Sequence, residues 1–170
     1  MKTNLIALLL ISITSCHYVL LGPAPRGTND DTMEEGPCGG FNSVVNRTNF
    51  PLKGGVVTVK VSHTEGRISY RLAFTETPAA KDFTLALTSD FTVTAVGKID
   101  TAPLDLASLG DKAIPGAKAT IQTIYESPDG TRYQCADVTL TADSTPKSSA
   151  IANSNAFTMN SMFLLLTCFF

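Results

Sequence analysis

Val56-Val57-Thr58-Val59-Lys60-Val61-Ser62-His63 is the stretch on which the fold turns. It is rich in β-branched residues and alternates, so Val57, Val59, Val61 and His63 fall on one face, the period of a half-buried strand. Glu65-Gly66 then reads as a tight turn. Residues 67–75 (RISYRLAFT) read as the returning arm of a hairpin, with Ile68, Tyr70, Leu72 and Phe74 on its apolar face. The same pattern continues outward. Val44-Val45 is a short strand, and residues 83–87, 91–96, 117–125 and 133–141 are further strands. Pro128-Asp129-Gly130 is a strong turn signal before the last of them. Residues 100–114, with Pro103, Leu104, Leu106 and Leu109, read as a loop with about one helical turn. Upstream, the prolines and glycines of residues 17–40 prevent any long regular element, and a loop of that length is functional or tied down. Its acidic patch, Asp30, Asp31, Glu34 and Glu35, reads as a solvated loop, with a second cation site as the alternative. Some seven short strands without a helical period predict an all-β fold, an immunoglobulin/fibronectin III-like antiparallel β-sandwich. The chain has no Trp, so the buried Trp of an immunoglobulin domain is missing.

The two ends read as processing signals. Lys2 precedes the apolar run Leu5-Ile6-Ala7-Leu8-Leu9-Leu10-Ile11, and Ser12, Thr14, Ser15 and Cys16 follow. That is the layout of a secretory signal peptide over residues 1–16, too short to span a bilayer. Thr14 and Cys16 suit the positions before a cut, which would make His17 the first mature residue. The alternative is a bacterial lipobox ending at Cys16. At the far end, Ser148-Ser149-Ala150, a polar spacer and the tail Met162–Phe170 match a glycosylphosphatidylinositol-anchor signal. Ser148 or Ser149 is the expected attachment site, with Asn153 or Ser154 behind them. Such anchors are eukaryotic, which argues against the lipobox. The expected layout is therefore a signal peptide at 1–16, a β-sandwich domain at 17–142, a Ser/Thr-rich stalk at 143–149 and a removed propeptide at 150–170. Asn46-Arg47-Thr48 is a glycosylation sequon consistent with the secretory route.

Between the two processed ends lie all fifteen Asp and Glu and twelve of the thirteen Lys and Arg, for a net charge of −3. No basic patch is visible, so nucleic acid is not an expected partner. Of four cysteines, Cys16 and Cys168 leave with the ends. Cys38 and Cys135 remain and are expected to pair in an oxidising compartment.

The chain has two histidines. A histidine at the mature N-terminus offers two metal-binding nitrogens, its α-amine and its ring. His63, at a strand end, would add a third. Three nitrogens in a T suit copper(II), which takes tetragonal nitrogen and oxygen ligands. By itself His63 also reads as an exposed strand-end histidine. Asp137 shares a strand face with Cys135 and Tyr133. On spacing alone it reads as a surface residue, with an oxygen ligand as the other possibility.

His17-Tyr18, Gly22-Pro23-Ala24-Pro25-Arg26-Gly27, residues 35–42 (EGPCGGFN), Phe50-Pro51-Leu52-Lys53-Gly54-Gly55, His63 and residues 133–138 (YQCADV) together resemble the fungal copper acquisition factor family, relatives of the lytic polysaccharide monooxygenases. The resemblance implies an immunoglobulin-like sandwich, a mature N-terminal histidine, a lipid anchor and one copper(II) held by His17, His63 and Asp137. It also implies copper capture rather than polysaccharide cleavage, so a non-enzyme, with a plasma-membrane copper transporter as partner and cell-wall glycan nearby. Relatives with further cysteines differ from this chain, which keeps one pair. Two alternatives stay open: a copper-dependent polysaccharide monooxygenase, and a metal-free structural module of the cell wall. No Gly-x-Ser-x-Gly elbow or hydrolase triad is present.

Overall fold

The computed structural model of the chain describes residues 18–75 and 77–142. Among them are eleven strands: β1 Tyr18–Gly22, β2 Thr48–Pro51, β3 Lys53–Gly55, β4 Thr58–Val61, β5 Gly66–Ala73, β6 Leu85–Ala86, β7 Phe91–Val93, β8 Gly97–Asp100, β9 Leu104–Asp105, β10 Lys118–Ser127 and β11 Gly130–Thr141. Short 3-10 turns occupy Ala80–Asp82 and Leu106–Leu109. One sheet has the order β1-β4-β8. The other runs β2-β11-β10-β5-β6, with β7 also on β5, and β3 pairs with β9 to the side. Every pairing is antiparallel except β2 on β11, which is parallel. The fold is all-β, a two-sheet sandwich, as its strand pattern predicts.

The hairpin expected from residues 56–63 and 67–75 does not form. β4 lies between β1 and β8, while β5 lies against β10, β6 and β7 in the other sheet. Residues 62–65 carry the chain from one sheet to the other. Alternation fixes which face of a strand is buried but not which strand lies beside it. Both strands point their apolar faces at one core from opposite sides, so the pattern is satisfied either way. The tail of the valine strand is therefore a corner of the sandwich, and His63 sits on it.

Other boundaries shift. Val44-Val45 is not a strand, and β2 begins at Thr48. β1 forms inside the segment that reads as loop, and β8 forms where the sequence shows no strand pattern. The turn expected near Leu106 is present. Val57, Val59 and Val61 from one sheet meet Ile68, Tyr70, Leu72, Ile121 and Val138 from the other in a single cluster. Each such buried side chain contributes about 1.5–3 kcal/mol of transfer free energy. Tyr18 and Tyr125 join the two sheets, their ring centroids 5.5 Å apart.

The loop between β1 and β2 is tied down against β11 and β10. The Arg26 N–H donates to the Cys135 carbonyl, the Tyr133 N–H to Met33, and the Gln122 side chain to Pro37. Cys38 and Cys135 form the expected disulfide across 97 residues. Chain entropy alone gives such a crosslink an upper value of about 4–5 kcal/mol. Gly39, at φ +64°, lies so close to the Tyr133 carbonyl that any Cβ would collide with it.

Candidate metal centre

His63 is half-buried and lines a hollow of about 180 Å³ together with Thr64, Glu65, Pro128 and Asp129. Two segments build the walls. One is the sheet-to-sheet crossover, residues 62–65. The other is the tip of the β10–β11 hairpin, where Ser127 pairs with Gly130 and Pro128-Asp129 make the turn. Gly130 has φ +123°, a conformation that favours glycine, and a Cβ there would press on the Glu34 carboxylate. Asp129 itself is exposed.

Beneath the hollow, β10 and β11 bring Tyr125 and Arg132 directly opposite each other. Both are buried. The Tyr125 hydroxyl donates to the Glu65 carbonyl at 3.2 Å. The Arg132 guanidinium donates to the Asp129 carbonyl at 3.3 Å, the Gly130 carbonyl at 3.5 Å and the Ser127 hydroxyl at 3.2 Å. It also faces Glu34 at 3.6 Å. Burial pushes the Tyr125 hydroxyl above its ordinary pKa, with the Arg132 charge pulling the other way.

On the third side, Tyr18 pairs with Val61, two residues before His63. Tyr18 is fully buried. Its hydroxyl donates to the Thr123 carbonyl at 3.0 Å and shares a short hydrogen bond with the Thr123 hydroxyl. Burial pushes its pKa far above the ordinary tyrosine value. The chain is thus firmly fixed from Tyr18 onward. His17 lies outside the described residues, as do the expected signal peptide, the stalk, and the anchor candidates Ser148 and Ser149. Among the described residues no group of three or more His, Cys, Asp or Glu side chains is arranged to hold a metal.

Asp137 is not brought to His63. Asp137 lies seven steps along β11 from Gly130, about 23 Å at the strand rise. Its face does match expectation, shared with Cys135 beneath the loop. There it is fully buried and committed. Arg26 grips it through Nε at 2.9 Å and Nη2 at 2.8 Å. The Thr120 hydroxyl and the Val45 N–H add bonds of 2.7 and 3.1 Å. Burial pushes the carboxyl pKa up, but these bonds and the guanidinium charge outweigh it, and the net shift is downward. Two carboxylates share the hollow with His63: Glu65 on the same crossover and, across from it, Asp129. In the sequence Asp129 reads only as a turn former. Its place at a hairpin tip beside residues 62–65 gives no sign of this in a sequence where that segment itself reads as a hairpin turn.

The exposed sequon residue Asn46 lies just before β2. A larger hollow of about 530 Å³ lies elsewhere, between Leu72, Phe74, Leu85, Leu109 and the charged pair Lys81 and Asp82. It contains neither His63 nor Asp137.

The sequence model described as copper acquisition factor BIM1-like matches residues 15–157. The chain belongs to this family. It is 31% identical over 147 residues to copper acquisition factor BIM1 of Cryptococcus neoformans var. grubii, covering 82% of this chain and 67% of that one. It is 31% identical over 135 residues to lytic polysaccharide monooxygenase-like protein X325 of Yarrowia lipolytica, covering 75% and 50%. The chain therefore spans half to two-thirds of the length of these relatives. A monooxygenase from Kitasatospora papulosa resembles its backbone with a TM-score of 0.45 at 14% identity, over 68% of this chain and 70% of that one. Membership in the family supports a copper-related function, with copper as the partner.

Proposed function

We propose that the chain is a cell-surface copper(II)-binding protein that captures one copper ion as cargo for uptake. In this reading His17 supplies its amine and ring nitrogen, His63 supplies a third nitrogen, and Asp129 supplies the oxygen. The observation that carries it is the register of β1 on β4, Tyr18 opposite Val61. The expected mature N-terminus is thus one peptide step from Tyr18, whose partner Val61 ends β4 two residues before His63. Three nitrogens and a carboxylate form a donor set suited to tetragonal copper(II). The amine, with an ordinary pKa near about 8, loses its proton to the metal readily. The hard, negative oxygen of Asp129 disfavours the cuprous ion and suits capture and handover over oxygen activation. A secretory signal, a lipid anchor at Ser148 or Ser149 and a glycan at Asn46 would hold the protein at the outer face of the plasma membrane, beside a copper transporter and the wall.

The reading is non-catalytic. Tyr18, Tyr70 and Tyr125 are buried and the chain has no Trp, so these rings offer no flat platform to a polysaccharide. Peroxide-dependent oxidised sugars lost on His63→Ala would instead favour a monooxygenase. Copper well below one per chain would favour a metal-free wall module.

The test is intact mass and N-terminal sequencing of the secreted protein, with copper titrated into the same sample. A chain that begins at His17 and takes up one copper, lost on His63→Ala and weakened on Asp129→Asn, supports the reading. A blocked or displaced N-terminus removes it.

A further inference from the structure

The two segments that wall the hollow are held from below by one cross-strand pair. Tyr125 and Arg132 face each other across β10 and β11 on the inner side of the sheet. Tyr125 reaches one wall, donating its hydroxyl to the Glu65 carbonyl in the crossover that carries His63. Arg132 reaches the other wall. Its planar fork donates to the carbonyls of Asp129 and Gly130 and to the Ser127 hydroxyl, three acceptors within one tight turn. Both side chains are anchored by burial. Tyr125 is fully buried and packs on the Tyr18 ring, and the Arg132 side chain is 7% exposed. The walls themselves are exposed loop, with Thr64, Glu65, Pro128 and Asp129 all at the surface. Short surface segments of this kind sample several conformations unless something fixes their backbone.

We propose that the Tyr125–Arg132 pair is a positioning device for the copper ligands, setting the separation of His63 and Asp129 through the backbones that carry them. It rests on the proposed copper site and adds residues that touch no metal. A guanidinium is suited to the task because its several N–H donors diverge in one rigid plane. A lysine ammonium in its place keeps the charge but cannot reach three acceptors with that geometry. The inward-facing side of the pair is also a meeting point of the two sheets, since Tyr125 touches Tyr18 in β1. The positions of the N-terminal strand, the crossover and the hairpin tip are thus referred to one buried point.

The experiment uses the mature secreted chain loaded with one copper(II). It compares the electron paramagnetic resonance spectrum and the copper affinity of the wild type with those of Tyr125→Phe, Arg132→Gln, Arg132→Lys and Asp129→Asn. Tyr125→Phe keeps the ring and removes one hydroxyl, so it tests the idea even if an Arg132 variant folds poorly. The expected result is an affinity loss of about tenfold for Tyr125→Phe and Arg132→Gln. Their hyperfine parameters should move toward those of Asp129→Asn or His63→Ala, and Arg132→Lys should not rescue. Adding Arg132→Gln to Asp129→Asn should cost little further, because the two act on one ligand. If Asp129→Asn binds copper as the wild type does, the proposed ligand set itself fails and the positioning role goes with it. If Asp129→Asn weakens binding while Tyr125→Phe and Arg132→Gln keep the wild-type spectrum and affinity, only the positioning role is overturned. Full rescue by Arg132→Lys would overturn it too, by reducing Arg132 to a charge.

Discussion

The β10–β11 hairpin carries two aspartates with opposite fates. Asp137, in the middle of β11, is sealed under the loop, both oxygens taken up by Arg26, Thr120 and Val45. Asp129, at the tip, is exposed beside His63. A buried carboxylate needs a full set of partners to offset its lost hydration, and once it has them it has little left to offer a metal. A carboxylate on an exposed turn stays in contact with water and carries no comparable desolvation cost. The same residue type is therefore buried and structural in mid-strand and solvent-exposed at the hairpin tip.

Exchanging the two roles is the strongest way to break that contrast. Asp137→Asn leaves the Arg26 guanidinium buried without its counter-charge, and breaking a buried pair from one side costs about 3–5 kcal/mol. It should lower the urea midpoint steeply, yet leave the copper affinity of the remaining folded protein within about twofold, since distant sites are nearly additive. Asp129→Asn should do the reverse, weakening copper binding while the midpoint barely moves. Chemical denaturation and copper titration on both variants check this. Equal copper losses from the two would erase the distinction.

Acid sharpens the same comparison. The pKa of Asp137 is lowered in the folded state, so its contribution is fully present above the ordinary aspartate value. It is lost as the pH falls through the folded value, below about pH 4. Wild-type stability should fall across that range, and Asp137→Asn should show a shallower fall. Asp100 is also lowered, by the Thr58 hydroxyl and Lys98, but it is exposed and screened, so its share is small. Urea midpoints measured at several pH values for both proteins give the slope directly.

Much of this architecture was legible. The valine face at 57, 59 and 61 and the apolar face at 68, 70 and 72 both point into the core, and Cys38 with Cys135 forms the crosslink. Strand pairing was not legible, because one apolar face fits many neighbours. That single gap hid the corner at residues 62–65. It also hid that Asp129, and not Asp137, lines the same hollow as His63. Arg26 and Arg132 were equally hidden: an arginine in a loop or strand gives no sign of whether it will be solvated or buried around a carboxylate or a turn. A buried arginine needs partners far away in the chain, and Arg26 finds Asp137 across 111 residues.

The core holds a smaller version of the contrast between a satisfied and an unsatisfied polar group. Tyr18 and Tyr70 both bury hydroxyls among aliphatic neighbours. The Tyr18 hydroxyl is bonded to Thr123, whereas the Tyr70 hydroxyl has no hydrogen-bond partner among the described residues. Burial, helped by the Asp100 charge, pushes the Tyr70 pKa up to about 12. An unpaired buried hydroxyl costs about 1–3 kcal/mol of desolvation, and its removal without change of shape returns part of that. Tyr70→Phe should therefore be neutral or stabilising by up to about 1 kcal/mol. Tyr18→Phe should destabilise by about 1 kcal/mol, since it removes the hydroxyl's hydrogen bonds to Thr123. Thermal melts of the two variants at neutral pH test the sign. A Tyr70→Phe protein that melts clearly below the wild type would mean the hydroxyl is satisfied in solution, and the two tyrosines would then be alike.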